Sequence, residues 1–242
     1  MYTQKTLTTA DSSQYLQVIL YLTGQILLSW IISLSLTVLY VNVNIIIIIK
    51  TRRNLIEHDE FLRLIITLIC ISLSAVIWIV IVTSENLRQL FPLNLILAIL
   101  LTICMSLESG VLGICLNFWW KITVWIVAMV LFSIITIISV IMTINLSDHF
   151  KSMLFYSIIT TIITITVSID AYFSEYHEFV VDIIGIGMTV SYSPIWLYVC
   201  QMSIGNFRPV FINPFFSAEL LYFVLMMILY ITEIEFIILC KY

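Results

Sequence analysis

Residues 93–143 read LNLILAILLTICMSLESGVLGICLNFWWKITVWIVAMVLFSIITIISVIMT, and the charged side chains in that stretch are Glu108 and Lys121. A helix needs about 20 apolar residues to cross the hydrocarbon core of a bilayer. The stretch therefore reads as two crossings, 93–116 and 121–143, joined by a turn over Asn117 to Lys121. So short a turn makes the pair an antiparallel hairpin. The Ile, Val and Thr content would favour strands in water. In lipid an unpaired backbone amide costs more than propensity can return, so helices win. A transmembrane β-barrel needs alternation at every second residue, and runs such as Ile134-Ile135-Thr136-Ile137-Ile138 do not alternate.

Working outward, the same texture recurs at 16–42, 62–82, 153–173, 179–204 and 216–239. Polar intervals separate these runs: Lys50 through Glu60, Ser84 to Gln89, Asn145 to Lys151, Ser174 to Glu178 and Gly205 to Pro214. The expected fold is all-α, a polytopic membrane helix bundle with seven transmembrane helices and six as the fallback count. Residues 1–14 form a polar N-terminal tail, and 15–242 form one seven-helix transmembrane domain. The first apolar stretch, Tyr15 to Ile49, is too long for one upright span, so Asn42 and Asn44 are expected at an interface. It is too long for a signal-peptide core and acts as an uncleaved anchor.

Composition agrees. Hydrophobic residues make up 62% of the chain and charged residues 10%, with mean hydropathy +1.15. Soluble domains hold about 45–50% and 25%. A soluble enzyme is excluded, and a net charge of −4 leaves no electrostatic footprint for nucleic acid. Cys70, Cys104, Cys115, Cys200 and Cys240 lie in or at the ends of spans and suggest no disulfide framework. His58, His149 and His177 fall in different loops, so neither a metal centre nor a cofactor is expected, and no catalytic grouping is present. The chain reads as a non-enzyme whose first partner is the lipid bilayer. Oligomeric state is open.

Ionisable groups inside spans are the functional candidates. A charge at a helix centre costs roughly 2.5–3.5 kcal/mol on insertion scales, so it faces the bundle interior. Glu108 is a cation or proton site, or else a hydrogen-bonded tie between helices, with small Ser106 and Gly110 beside it. Glu233 is the candidate on the last helix, and Glu235, about 200° away, is read as interfacial. Asp170 and Asp182, with Glu175 and Glu178, form an acidic group that either concentrates cations at a pore mouth or is a solvated turn. Pro194 breaks a backbone hydrogen bond one turn before Tyr198, and the two are gate or hinge candidates. The stripe Ser157, Thr161, Thr164, Ser168 is read as helix packing in preference to a wet path.

Lysine and arginine mark the cytoplasmic side. With the N-terminus inside, that side holds Lys5, Arg88, Lys151 and Arg208, against Lys50, Arg52, Arg53, Arg63, Lys121 and Lys241 opposite. The count favours the N-terminus outside, and glycosylation of the sequon Asn145-Leu146-Ser147 would report it.

Several segments, in order, carry a family likeness. These are Tyr15-Leu16 to Leu28, Phe91-Pro92-Leu93-Asn94-Leu95, Trp196 to Gln201 with Gly205-Asn206, and Asn213-Pro214 through Leu229 to Ile234. Together they resemble the transmembrane BAX-inhibitor-motif family, which includes the Lifeguard and Golgi anti-apoptotic proteins. The family's sixth-span Asp falls on Val199 and its seventh-span Asp on Thr232, with Glu233 next to it. The family's two-Asp latch therefore does not carry over intact. Such divergence resembles the viral branch, the seven-span proteins of cytomegaloviruses. The resemblance implies a calcium leak pore, viroporin-like, in the endoplasmic reticulum or Golgi, which lowers store calcium and inhibits apoptosis. The alternative is a non-conducting viral protein that diverts host membrane proteins in immune evasion.

Overall fold

A computed structural model describes residues 9–50, 69–70, 72–81, 83–84, 90, 92–112, 118–173, 180–204 and 213–239. Every regular element among the described residues is helical. In chain order the helices are α1 (Thr9–Lys50), α2 (Ser72–Ile81), α3 (Leu93–Leu112), α4 (Phe118–Ile141), α5 (Phe150–Phe173), α6 (Val180–Ile204) and α7 (Pro214–Leu239). A 3-10 turn, Leu146–His149, leads into α5. All but α2 are long and apolar enough to cross a membrane. The chain is a multi-pass helical membrane bundle.

The expected spans 93–116, 121–143, 153–173, 179–204 and 216–239 match α3 to α7 within a few residues; that at 16–42 lies inside the longer α1, and that at 62–82 falls partly outside the described residues, which give α2 over Ser72–Ile81. One difference has consequences. Lys121 was expected in the turn after the third span, but α4 begins at Phe118 and holds Lys121 one turn inside, fully buried. It leaves the loop count of positive charges, which becomes four against five. α1 is one continuous helix of 42 residues, ~63 Å at 1.5 Å per residue. Its apolar span is Ser13–Leu39, so Asn42 and Asn44 lie beyond that span on the same helix.

The bundle is built around α7. Of an 18-residue stretch within Pro214–Ile234, 67% is buried, against 17% of one within Leu146–Ala171. α7 packs on α1, α3, α4 and α6, whereas α5 packs on α6 and the 3-10 turn. The core joins Leu221, Tyr222, Leu225, Met226 and Leu229 of α7 to Leu101, Met105, Val124, Trp125 and Trp196. Trp78 of α2 stacks on Phe223, with ring centroids 4.4 Å apart.

Two details fix the outer helices. The Cβ position of Gly187 on α6 lies 2.2 Å from Thr164 Oγ1 on α5, so only glycine lets the two backbones approach this closely. The serine–threonine stripe of α5 is thus a packing face, as expected. Thr161, Thr164 and Ser168 donate to carbonyls of their own helix at 2.7–2.8 Å, which satisfies hydroxyls in lipid without a water path. Gln201 on α6 clamps the α4–α5 connection. It accepts from the Leu146 amide at 2.9 Å and donates to the Ile144 carbonyl at 2.8 Å.

The surface is the reverse of a soluble protein's. Leu20, Ile31, Ile126, Ile162 and Ile169 are exposed. Ser29, Ser33, Thr102, Ser106, Glu108, Lys121, Gln201, Glu219 and Glu233 are buried. Lipid demands that arrangement, because polar side chains find partners only inside the bundle.

Candidate functional site

α1 repeats a polar residue every fourth position, at Gln25, Ser29, Ser33 and Thr37, and all four are buried. Four residues advance a helix slightly more than one turn, so these side chains form one stripe. α3 answers with Thr102, Ser106 and Ser109, and α7 with Glu219, Tyr222 and Glu233. Where α1, α3 and α7 meet, the three stripes make a polar seam in layers.

In the first layer Gln25 Nε2 donates to Glu219 Oε1 at 2.6 Å and to Thr102 Oγ1 at 3.4 Å. In the second, Ser29 Oγ and the Tyr222 hydroxyl share a 2.5 Å hydrogen bond. Ser106 Oγ lies 2.9 Å from Ser29 Oγ and also reaches the Thr102 carbonyl. In the third, Lys121 Nζ forms an ion pair with Glu233 Oε1, and both side chains are fully buried. Ser109 Oγ donates to the same carboxylate oxygen at 2.8 Å, and Lys121 also donates to the Ser109 carbonyl at 2.5 Å. Ser33 Oγ closes the layer 3.4 Å from Ser109 Oγ.

Glu108 sits beside the seam. Ser74 of α2 donates to its Oε1 at 2.7 Å and the Tyr230 hydroxyl of α7 to its Oε2 at 2.9 Å. One carboxyl thereby ties α2, α3 and α7 together. Three carboxyl groups, Glu108, Glu219 and Glu233, are buried in this region, and among the described residues Lys121 is the cation bonded to any of them. Such an array can bind protons or cations from the bundle interior. Among the described residues no group of three or more His, Cys, Asp or Glu is placed to hold a metal.

Of the residues singled out in the sequence, Glu108 and Glu233 face this interior. The others lie elsewhere. Asp170 is exposed near the end of α5, the helix that packs on α6 and the 3-10 turn. The side chain of Asp182 lies outside the described residues, as do Glu175, Glu178 and the side chain of Glu235. α6 runs unbroken through Pro194, and the Val190 carbonyl that the proline leaves without its amide accepts from Ser193 Oγ at 3.3 Å. Tyr198 packs on Phe150 of α5, with ring centroids 4.8 Å apart, away from the seam.

Sequence reasoning missed Gln25, Glu219 and Lys121. The four-residue polar period of α1 was a usable signal. So was Glu219, the first charge after Pro214 in an otherwise apolar run. Lys121 looked like a loop charge because it borders the turn. No family model, curated protein or solved structure matches this chain.

Proposed function

We propose that the chain is a cation leak of an intracellular membrane, the endoplasmic reticulum or Golgi, which lowers stored calcium and so blunts apoptosis. The resemblance to the BAX-inhibitor-motif family supplies that role, with the viral branch as its setting. One observation carries the reading: Glu108, Glu219 and Glu233 all face the interior, with Lys121 bonded to Glu233. Scarce carboxyl groups turned inward among oily helices are the usual mark of an ion or proton path.

In this reading the structure is the closed state. The Lys121 ammonium occupies the place on Glu233 that a passing cation would take. A cation arriving along the seam displaces it, and Glu108 offers the next carboxylate. The Lys121–Glu233 pair thus stands in for the two-Asp latch that the resemblance implies and this sequence lacks.

Calcium efflux from vesicles containing the purified chain tests the proposal. Glu108→Gln and Glu233→Gln are each expected to reduce efflux at least tenfold. Efflux unchanged in both variants rejects the carboxylate path.

A second reading rests on a different feature. An apolar cavity of about 660 Å³ opens between α1 and α4, lined by Ile26, Trp30, Trp125, Ile126, Met129 and Ile137 among others. Such a groove suits a transmembrane helix of a host protein, as expected of a non-conducting adaptor that removes immune ligands. Loss of surface ligands from expressing cells without a change in store calcium would select this reading.

A further inference from the structure

We propose that Gln25 and Glu219 form a proton-binding site, separate from the Lys121–Glu233 pair. The proposal goes beyond the leak reading and does not depend on it.

The case begins with a count of donors. Gln25 Nε2 donates to Glu219 Oε1 at 2.6 Å. Gln25 Oε1 and Glu219 Oε2 are both buried and have no hydrogen-bond partner among the described residues. The two residues are 9% and 1% exposed, so both oxygens lie inside the bundle. Two orphaned acceptors on adjoining side chains lack one hydrogen between them. A proton on Glu219 Oε2 provides it, because the neutral acid carries an O–H that can donate to the amide oxygen. Exchanging the amide's O and N leads to the same deficit. It sets the amide oxygen against Glu219 Oε1 at 2.6 Å, a distance two acceptors hold only with a proton between them.

A metal ion is a poorer occupant. Calcium takes about 6–8 oxygen ligands and magnesium about six, and the site has two free oxygens. A proton needs only two.

Among the described residues the surroundings add no counter-charge. Gln25 reaches Glu219 from α1, where Tyr21, one turn away, packs its ring on Phe215. From α3 comes Thr102, and the titratable neighbour on α7 is Tyr222. α6 contributes no Asp, Glu, Lys, Arg or His over Ile183–Ile204. Its Tyr198 packs on Phe150 and its Cys200 lies against Thr136, while Tyr192 borders the core. α4 offers Lys121 at the Glu233 level, ~21 Å farther along α7 at 1.5 Å per residue. Uptake moves one proton from water to Glu219 Oε2, and release returns it. No bond between heavy atoms changes. Thr102 lies between the two layers: its hydroxyl accepts from Gln25 Nε2 at 3.4 Å, while Tyr222 and Ser106 bond its backbone carbonyl.

Infrared difference spectra of the full chain in lipid vesicles, taken over a pH series, test the site. Wild type is expected to show a protonated-carboxyl C=O band that Glu219→Gln deletes. Gln25→Leu is expected to keep that band and shift it to the frequency of an acid without a hydrogen-bond acceptor. Glu219→Asp, which preserves the acid, retains a displaced band and decides the matter if Glu219→Gln does not fold. Carboxyl bands that stay unchanged in both Glu219 variants overturn the proposal. So does loss of the Glu219 band on adding sodium or calcium at fixed pH, because a metal would then hold the two oxygens. Calcium efflux from the same vesicles reports separately: no efflux with the Glu219 band present rejects the leak and leaves the proton site standing.

Discussion

Glu233 Oε1 receives the Lys121 ammonium and the Ser109 hydroxyl together, while its Oε2 has no partner among the described residues. A buried pair of this kind repays its desolvation only while both charges remain. Removing one partner strands the other and costs about 3–5 kcal/mol, whereas replacing both with apolar side chains of similar volume is often neutral or stabilising. Lys121→Met is therefore expected to destabilise the chain by ~3–5 kcal/mol, and Lys121→Met/Glu233→Met to recover most of that loss. Thermal unfolding of the purified variants in detergent micelles measures both. If the pair is also the latch, the single variant Lys121→Met leaks calcium faster than wild type. The double variant, with no Glu233 carboxylate, is stable and silent. A pair that served packing alone would give the stability pattern without the flux pattern.

At the scale of elements, the helices could be read from the sequence and the closeness of their contacts could not. Span boundaries come from runs of apolar residues between polar intervals, and the expected 93–116, 121–143, 153–173 and 179–204 fall on α3 to α6 with end shifts of a few residues. Nothing in those runs says which glycine faces a neighbour. The structure separates two cases. A Cβ on Gly187 would meet Thr164 Oγ1 at 2.2 Å and Thr164 Cβ at 2.8 Å. A threonine side chain has no far end to swing aside, so α5 and α6 must part. A Cβ on Gly110 would meet Leu36 Cδ1 at 2.5 Å, the tip of a flexible side chain that can rotate away. Gly187→Ala is expected to cost roughly 1–3 kcal/mol, the usual range for overpacking. Gly110→Ala should cost clearly less in the same unfolding assay. Equal losses would mean that the α1–α3 contact is as rigid as the α5–α6 contact.

Over the whole molecule, the polar seam exists only because three helices distant in sequence bring single residues together. Gln25, Thr102 and Glu219 are each unremarkable alone, and the spacing that joins them is not local. Glu108 and Glu233 were legible as isolated costs, but Lys121, the counterweight of Glu233, was hidden at the edge of a turn. Its burial also bears on how the bundle sits in the membrane. Without Lys121 the positive charges divide five against four, so the total no longer discriminates. The first helix usually sets the orientation, and its flanks differ: Lys5 precedes it, and Lys50, Arg52 and Arg53 follow. That asymmetry predicts the N-terminus of α1 on the non-cytoplasmic side, and with the segment around α2 as a seventh crossing the α4–α5 connection is expected there too. The sequon there is a poor reporter, because Asn145 Oδ1 accepts from the Ser147 amide at 3.2 Å and hydroxyl at 2.8 Å in a turn held against α6 by Gln201. A glycosylation tag fused ahead of residue 1 avoids that constraint. It is expected to acquire glycan in microsomes and to lose it on endoglycosidase treatment. Substituting Arg52 and Arg53 with Gln is expected to lower the glycosylated fraction. A tag that stays unmodified while the same tag after residue 242 is glycosylated would reverse the assigned orientation.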